Sequence, residues 1–137
     1  MDCIFCKIVN GEIPSYKIYE DENIIAILDI SQATKGHTLI ISKKHYKNLY
    51  EIDELSTGEI FKAVPKIANA IKKAFNPIGL NLIINTDKPL QTVLHFHMHL
   101  IPRYEREDIV IGFNNNQDNI TKDDYESIKN KIIEQLK

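Results

Sequence analysis

Three histidines alternate with apolar residues in the segment His95-Phe96-His97-Met98-His99. Side chains on a β-strand point to opposite faces in turn, so a strand here places the three imidazoles on one face and the apolar side chains on the other. The apolar face is explained by packing into a core. A row of imidazoles has little packing value, and titratable side chains gathered in this way are typical of functional sites.

Three interpretations of the histidine row are open. A solvent-facing strand that carries histidine by chance requires three of the five histidines in the chain to fall in strict alternation. A metal site is the second, because neutral imidazole binds zinc, although Leu100-Ile101-Pro102 supplies no nearby carboxylate. The third is phosphate chemistry, because a neutral imidazole is a nucleophile and its neighbours can hold a phosphoryl oxygen. The strict alternation favours a functional row over chance.

A second group that could do chemistry is the Cys3-x-x-Cys6 pair. A redox pair of the thioredoxin type needs a strand–helix crossover around it, and none is evident. Two unreactive buried thiols are an alternative, since free cysteine is often buried. The pair can also form half of a zinc site that needs two further ligands. The residues alone leave these three readings open.

Hydrophobic periodicity predicts the elements that position these residues. Strands are expected at residues 16–20, 23–29, 37–42, 80–85 and 94–101, with a hairpin turn at Asp21-Glu22. A long helix is expected over residues 53–75, kinked at Pro65, and a final helix starts at Thr121, whose hydroxyl can cap it. We therefore predict one α+β domain over residues 1–137, with a mainly antiparallel five-stranded sheet and two main helices.

Composition excludes several classes of protein. The chain has 137 residues, of which 43% are hydrophobic and 26% charged, as in an ordinary globular domain. A net charge of −2 gives no long-range attraction for nucleic acid or anionic membranes, so neither is an expected partner. The longest apolar run, residues 24–28, is far shorter than the roughly 20 residues of a membrane span. With two cysteines and no secretory signal, a cytoplasmic location is expected.

The histidine row, together with the Ile101-Pro102-Arg103-Tyr104 that follows it, strongly resembles the histidine triad motif of the HIT superfamily of nucleotide hydrolases and transferases. Residues 27–31, 35–41 and 43–45 resemble the N-terminal half of this family in order and spacing. The match covers residues 3–104 and is weaker from about 105 onward. His99 stands where the transferase branch has glutamine, which favours a Hint-type hydrolase with a HIT-like fold.

The resemblance implies a role for each matching residue. His97 would attack the α-phosphorus of a nucleoside phosphoramidate or related adenylyl compound, and water would then hydrolyse the nucleotidyl-histidine. His99 and His37 would surround the phosphate, and Asp29 would accept hydrogen bonds from the ribose hydroxyls. The remaining residues implied to bind a purine nucleotide such as an AMP conjugate are Asn85, Gln91 and Thr92, with Phe5, Ile8, Ile13, Ile27 and Ile30 around the base.

The resemblance further implies a structural zinc ion held by Cys3, Cys6, His45 and His95, and a homodimer. Residues 86–90 depart from the family, which usually has a glycine-rich loop there. Leu90 stands where glycine is expected and Pro89 has no amide proton, which predicts a poorer phosphate loop and slower turnover. Two alternatives stay open: a dinucleoside polyphosphate hydrolase, and a nucleotide-binding regulatory protein with vestigial catalysis.

Overall fold

A computed structural model describes residues 2–137 and shows an α+β fold built on one antiparallel five-stranded sheet. The strands are β1 Lys17–Glu20, β2 Ile24–Leu28, β3 Thr38–Ser42, β4 Gly79–Ile83 and β5 His97–Arg103, in the order β1-β2-β3-β5-β4. The helices are α1 Ile4–Val9, α2 Glu54–Phe61, α3 Val64–Phe75 and α4 Lys122–Gln135, with short 3₁₀ turns at Leu49–Glu51, Arg106–Asp108 and Gln117–Asn119. The predicted fold class is confirmed.

The two faces of the sheet bury different sets of side chains. Met98 and Leu100 of β5 pack with α2 and α3 in the larger core, and Phe96 joins them. The opposite face packs alternate residues of β2 and β3 against Cys3 and Phe5 at the N-terminus. In the register of β3 and β5, Leu39 lies opposite His99 and Ile41 opposite His97. The histidine row therefore lies beside the central strand β3, on the face away from α2 and α3.

The long helix expected over residues 53–75 is two helices, so the prediction of one kinked helix was wrong. Asp53 caps α2 by accepting a hydrogen bond from the Ser56 amide. Pro65 lies in the first turn of α3, where its missing N–H removes no intrahelical hydrogen bond. The proline starts a new helix instead of bending an existing one.

Strand ends also differ from the prediction. β5 begins at His97, three residues later than expected, because Phe96 bonds through its amide to the Tyr46 carbonyl and through its carbonyl to the Ser42 amide. β4 ends at Ile83, before Asn85. His95 thus precedes the strand, but the Phe5 ring contacts both the His95 and His97 rings, so the imidazoles share one face as predicted.

The C-terminal helix α4 stands apart from the sheet. Thr121 and Asp124 form a reciprocal capping box at its start, which confirms the predicted cap. Every residue of α4 is exposed, including Tyr125, Ile128 and Ile132 of its apolar stripe. Among residues 2–137, no helix combines the length and the apolar character needed to cross a bilayer.

Candidate functional site

A cavity of about 650 Å³ opens on the sheet face that carries the histidines. It brings together nine of the residues implied by the resemblance to act in catalysis or bind a nucleotide: His97, His99, Asp29, Thr92, Phe5, Ile8, Ile13, Ile27 and Ile30. An aliphatic wall beside two imidazoles and a carboxylate is suited to a ligand with an apolar ring and a polar or charged part.

The His97 imidazole has a defined proton position. Its Nδ1 lies 2.7 Å from the carbonyl oxygen of His95, and a carbonyl only accepts hydrogen bonds, so Nδ1 carries the proton. Burial lowers the pKa of His97, which keeps the ring neutral at pH 7. Nε2 therefore holds a lone pair, and the ring lines the cavity. A neutral imidazole with a free Nε2 can act as a nucleophile.

His37, His99 and Asp29 form a compact polar group next to His97. Nε2 of His37 lies 2.9 Å from Nδ1 of His99 and 3.4 Å from Oδ2 of Asp29. Burial lowers the pKa of His37, and burial together with neighbouring His97 and His37 lowers the pKa of His99 to about 4. Both imidazoles are neutral near pH 7, and they interact through hydrogen bonds instead of as a pair of cations.

Four side chains from three separate segments meet at a second centre: Cys3, Cys6, His45 and His95. Each cysteine Sγ lies 3.4–3.5 Å from Nδ1 of His95, Cys6 Sγ lies 3.3 Å from Nδ1 of His45, and the two Nδ1 atoms are 3.0 Å apart. The edges of a zinc tetrahedron with 2.0–2.3 Å bonds are roughly 3.3–3.8 Å long. The three distances that involve sulfur lie in this range and the one between the two imidazole nitrogens is slightly shorter, so the four donor atoms are grouped as the ligands of one tetrahedral metal ion would be.

The hydrogen bond on the far side of His95 supports this fit. Nε2 of His95 lies 2.6 Å from the Ser42 carbonyl oxygen, so it carries the proton and leaves the Nδ1 lone pair facing the cysteines. Metal-binding histidines are typically oriented by such a second bond. Burial lowers the pKa of His95, which also favours the neutral form that binds metal.

The Asp29, His37 and His99 group also has metal-binding atom types within 4.8 Å of one another. Its hydrogen bonds argue against a metal. Nδ1 of His37 accepts a hydrogen bond from the Ala33 amide at 3.1 Å, so the proton of the neutral ring is on Nε2, the atom that would have to bind the ion. This group is a hydrogen-bonded network.

Three implied residues lie outside the cavity wall: Asn85, Gln91 and His37. Gln91 is only 1% exposed, and its Nε2 donates to the carbonyls of Lys47 and Val93 while its Oε1 accepts from the Asp87 amide. The side chain of Gln91 thus holds the loop at residues 86–90 through hydrogen bonds to the backbone of Asp87 and Val93. Asn85 is half-buried after β4, and His37 contacts two residues of the cavity wall, His99 and Asp29.

The loop at residues 86–90 differs from the expectation in its backbone. The positive φ falls on Asp87, at 66°, and not on Leu90, so the expected strain at Leu90 was placed at the wrong residue. Asn48 donates its side-chain amide to the Asp87 carboxylate at 2.9 Å, which helps to hold this conformation. Leu90 is 72% exposed and carries no such constraint.

Sequence reasoning missed the groups that orient the imidazoles. These are the Ala33 amide, the Ser42 carbonyl and the side chain of Gln32. Backbone groups leave no signal in residue types. The only hint in the sequence is Ser42 itself, a polar residue that follows the apolar residues 39–41.

The family model for the HIT domain matches residues 10–106. The chain belongs to the HIT family. "Protein hit" of Bacillus subtilis is 49% identical to this HIT protein over 98% of the chain and 94% of that protein. Adenosine 5'-monophosphoramidase hnt1 of Schizosaccharomyces pombe is 39% identical over 78% of each chain. Adenylylsulfatase HINT3 of Arabidopsis thaliana is 43% identical over 77% of this chain and 54% of that protein.

Solved structures agree with this assignment. A member of the HIT family from Bacillus subtilis has a TM-score of 0.96 and 47% identity, covering 100% of this HIT protein and 99% of that chain. A Zn-bound histidine triad family protein from Mycobacterium smegmatis has a TM-score of 0.74 and 36% identity, with 87% of each chain covered. The family thus includes proteins named as hydrolases of adenylyl compounds, and one structure described as binding zinc.

Proposed function

We propose that this HIT protein hydrolyses nucleoside 5′-phosphoramidates or related adenylyl compounds through a covalent nucleotidyl intermediate on His97. The observation that carries the proposal is the hydrogen bond from His97 Nδ1–H to the His95 carbonyl, at 2.7 Å. This bond fixes the tautomer whose Nε2 lone pair is free on a ring that lines a 650 Å³ cavity. Relatives named as a monophosphoramidase and an adenylylsulfatase support the substrate class.

The reaction proceeds in two displacements. In the first, Nε2 of His97 forms a bond to the α-phosphorus, the bond from phosphorus to the leaving nitrogen breaks, and the departing amine takes a proton from water. In the second, water attacks the same phosphorus and releases a proton to solvent, which balances the one given to the amine, while the bond to His97 breaks and the nucleoside monophosphate leaves. The retained Nδ1–H bond to the His95 carbonyl stabilises the positive charge that the ring carries while it is nucleotidylated.

The other cavity residues bind the parts of the substrate that do not react. Asp29 keeps one carboxylate oxygen on the Ser31 amide at 2.8 Å, and its second oxygen is suited to the ribose hydroxyls. His99 lines the cavity with its ring and donates a hydrogen bond to a phosphoryl oxygen. The aliphatic residues Ile8, Ile13 and Ile27 bury the base by excluding water.

We also propose that the second centre holds zinc. Cys3, Cys6, His45 and His95 would be its ligands, and because four protein donors would fill a tetrahedral site, the ion would stabilise the fold and would not bind substrate. The Zn-bound structural relative supports this choice of metal. The site joins the start of α1 to His95, whose carbonyl accepts the hydrogen bond from His97 Nδ1–H, so it helps to set the position of the nucleophile.

The decisive experiment compares three ligands on the purified protein: adenosine 5′-phosphoramidate, a diadenosine polyphosphate and AMP. We expect turnover of the phosphoramidate, and a rapid quench should trap one nucleotidyl group on His97 by mass spectrometry. His97→Asn keeps a side-chain N–H for the His95 carbonyl but has no nucleophilic lone pair, so it should bind AMP without turnover.

Other outcomes would overturn the proposal in distinct ways. Faster hydrolysis of the diadenosine polyphosphate would indicate a dinucleoside polyphosphate hydrolase. Binding of AMP without turnover of either substrate by the parent protein would indicate a regulatory nucleotide-binding protein. Undiminished turnover by His97→Asn would exclude the covalent intermediate on this residue.

A further inference from the structure

The loop between β2 and β3 is closed by one side chain, that of Gln32. Its Nε2 donates to the carbonyl oxygens of Asp29 at 2.6 Å and His37 at 2.7 Å, and its Oε1 accepts from the Gly36 amide at 2.9 Å. All the polar atoms of the side chain are engaged, although the residue lies at the surface. The amide of Gln32 therefore links the two ends of the loop that separates Asp29 from His37.

The same loop aims a backbone amide at an imidazole. The Ala33 N–H donates to Nδ1 of His37 at 3.1 Å, which requires a lone pair on Nδ1 and leaves the ring proton on Nε2. Nε2–H then donates to Nδ1 of His99, 2.9 Å away, in preference to the Asp29 carboxylate oxygen at 3.4 Å. Because Nδ1 of His99 accepts this bond, the proton of the neutral His99 ring is on its own Nε2.

These hydrogen bonds place the proton on opposite ring nitrogens of the two cavity histidines, His97 and His99. His97 has its proton on Nδ1 and a lone pair on Nε2, whereas His99 has a lone pair on Nδ1 and its proton on Nε2. The two rings are neighbours, with centroids 5.2 Å apart. One is therefore set to attack phosphorus, and the other to donate a hydrogen bond to a phosphoryl oxygen.

We propose that Gln32 and His37 are positioning residues: Gln32 holds the Ala33 amide against His37, and His37 fixes the proton of His99 on Nε2. This reverses the expectation that His37 itself contacts the phosphate. It is consistent with the absence of His37 from the cavity wall. The role of His99 toward a phosphoryl oxygen rests on the proposed function, but the tautomers do not.

The alternative proton arrangement shows why the position of the His37 proton matters. If His37 carried its proton on Nδ1, its Nε2 would accept from Nδ1–H of His99. The Nε2 of His99 would then present a lone pair to the phosphoryl oxygens, which would repel them. A displaced Ala33 amide, acting through His37, would thus convert His99 Nε2 from a donor into an acceptor.

The far side of the loop is anchored to the end of β5, which keeps the loop in place. Thr34 donates its hydroxyl to the carbonyl of Pro102 at 2.5 Å, and the Tyr104 hydroxyl donates to the carbonyl of Lys35 at 2.6 Å. Loss of the Gln32 bonds is therefore expected to disturb the Ala33 amide locally without releasing the whole loop.

The test is long-range ¹H–¹⁵N NMR of the histidine rings at pH 8, without substrate, on the zinc-saturated protein. The parent should show Nε2–H tautomers for His37 and His99 and the Nδ1–H tautomer for His97. Gln32→Ala should add the Nδ1–H form to both His37 and His99, whereas Gln117→Ala, at an exposed glutamine far along the chain, should not.

Two substitutions of His37 by side chains of the same shape, glutamine and glutamate, test its role directly. His37→Gln keeps an N–H that can point at His99, so His99 should stay in the Nε2–H form. His37→Glu offers only acceptor oxygens, so His99 should change to the Nδ1–H form. Phosphoramidate turnover should fall by about 10²–10³-fold for the glutamate variant, the range for loss of one charge-stabilising donor, and clearly less for the glutamine variant.

Several outcomes would overturn the inference. A parent protein with Nδ1–H on His37 or His99 would exclude it outright, with no need for a variant. Unchanged tautomers in Gln32→Ala would exclude the role of Gln32, and a His99 that keeps the Nε2–H form in His37→Glu would exclude the role of His37. If the tautomers respond as expected but the parent hydrolyses no phosphoramidate, the proposed function fails and the positioning chain stands.

Discussion

Replacement of Gln91 by leucine tests whether this residue binds nucleotide or supports the fold. The resemblance implied nucleotide binding, but the side chain is 1% exposed and faces backbone groups. Leucine has a similar size and no polar atoms. It would remove the hydrogen bonds to the carbonyls of Lys47 and Val93, at 2.7 and 3.0 Å, and the one from the Asp87 amide, at 2.8 Å.

The expected loss follows from these three bonds. A neutral hydrogen bond contributes about 0.5–1.5 kcal/mol net, and a buried group left without its partner costs more, so Gln91→Leu should lower the free energy of unfolding by about 3 kcal/mol. That is a large share of the roughly 5–15 kcal/mol of a typical domain. AMP affinity, measured well below the unfolding temperature, should fall much less, because the side chain does not line the cavity.

The assay is urea unfolding with zinc present, alongside calorimetric titration with AMP. Gln135→Leu makes the same chemical change at an exposed position of α4 and should alter the free energy of unfolding by less than about 0.5 kcal/mol. A variant of full stability that binds AMP poorly would refute the reasoning, because it would show that Gln91 acts on the ligand.

Four further predictions follow from the site. Cys6→Ser should lower the zinc content and the unfolding temperature together, because metal affinity adds to folding free energy; a metal-free parent of equal stability would contradict this. Asp29→Asn should weaken binding of AMP by about 1–3 kcal/mol and of its 2′-deoxy analogue by less; calorimetry that gives equal losses would exclude contact with the 2′-hydroxyl. The pKa of His99 is about 4 in the folded protein and about 6.5 in the unfolded protein, so the unfolded state binds more protons between these pH values. The free energy of unfolding should therefore fall as the pH drops through this window. In urea titrations from pH 7.5 to 4.5, His99→Gln should lose less stability than the parent. The expected homodimer should give twice the single-chain mass by light scattering, and a single-chain mass would contradict it.

Much of the fold could be predicted because it rests on local patterns. The alternation of histidines with apolar residues predicted the two faces of the segment 95–100, and the capping chemistry of Thr121 predicted the start of α4. The limits of elements were less predictable, because they depend on distant partners. Phe96 is extended but bonds to the Tyr46 carbonyl, and this contact delays the start of β5.

In the candidate site, too, the residues could be predicted from the sequence, but their arrangement could not. Residue types and spacing identified the two cysteines and the histidine row, and the resemblance added His45 and Asp29. Their arrangement depends on segments separated by up to 92 positions, such as Cys3 and His95. The loop at residues 86–90 shows the limit of position-by-position comparison, because its positive φ falls on Asp87 and is supported by Asn48 from another part of the chain.

The sequence by itself determined that the three imidazoles of the histidine row share one face, because side chains alternate between faces in any extended segment. Only the tertiary structure decided what each imidazole does. His95 donates a hydrogen bond to the Ser42 carbonyl, and His97 donates one to the His95 carbonyl. The chemically identical ring of His37 instead accepts a hydrogen bond from the Ala33 amide. The proton of a neutral imidazole follows its hydrogen-bond partners, and these partners are backbone groups whose positions are set by the folded chain.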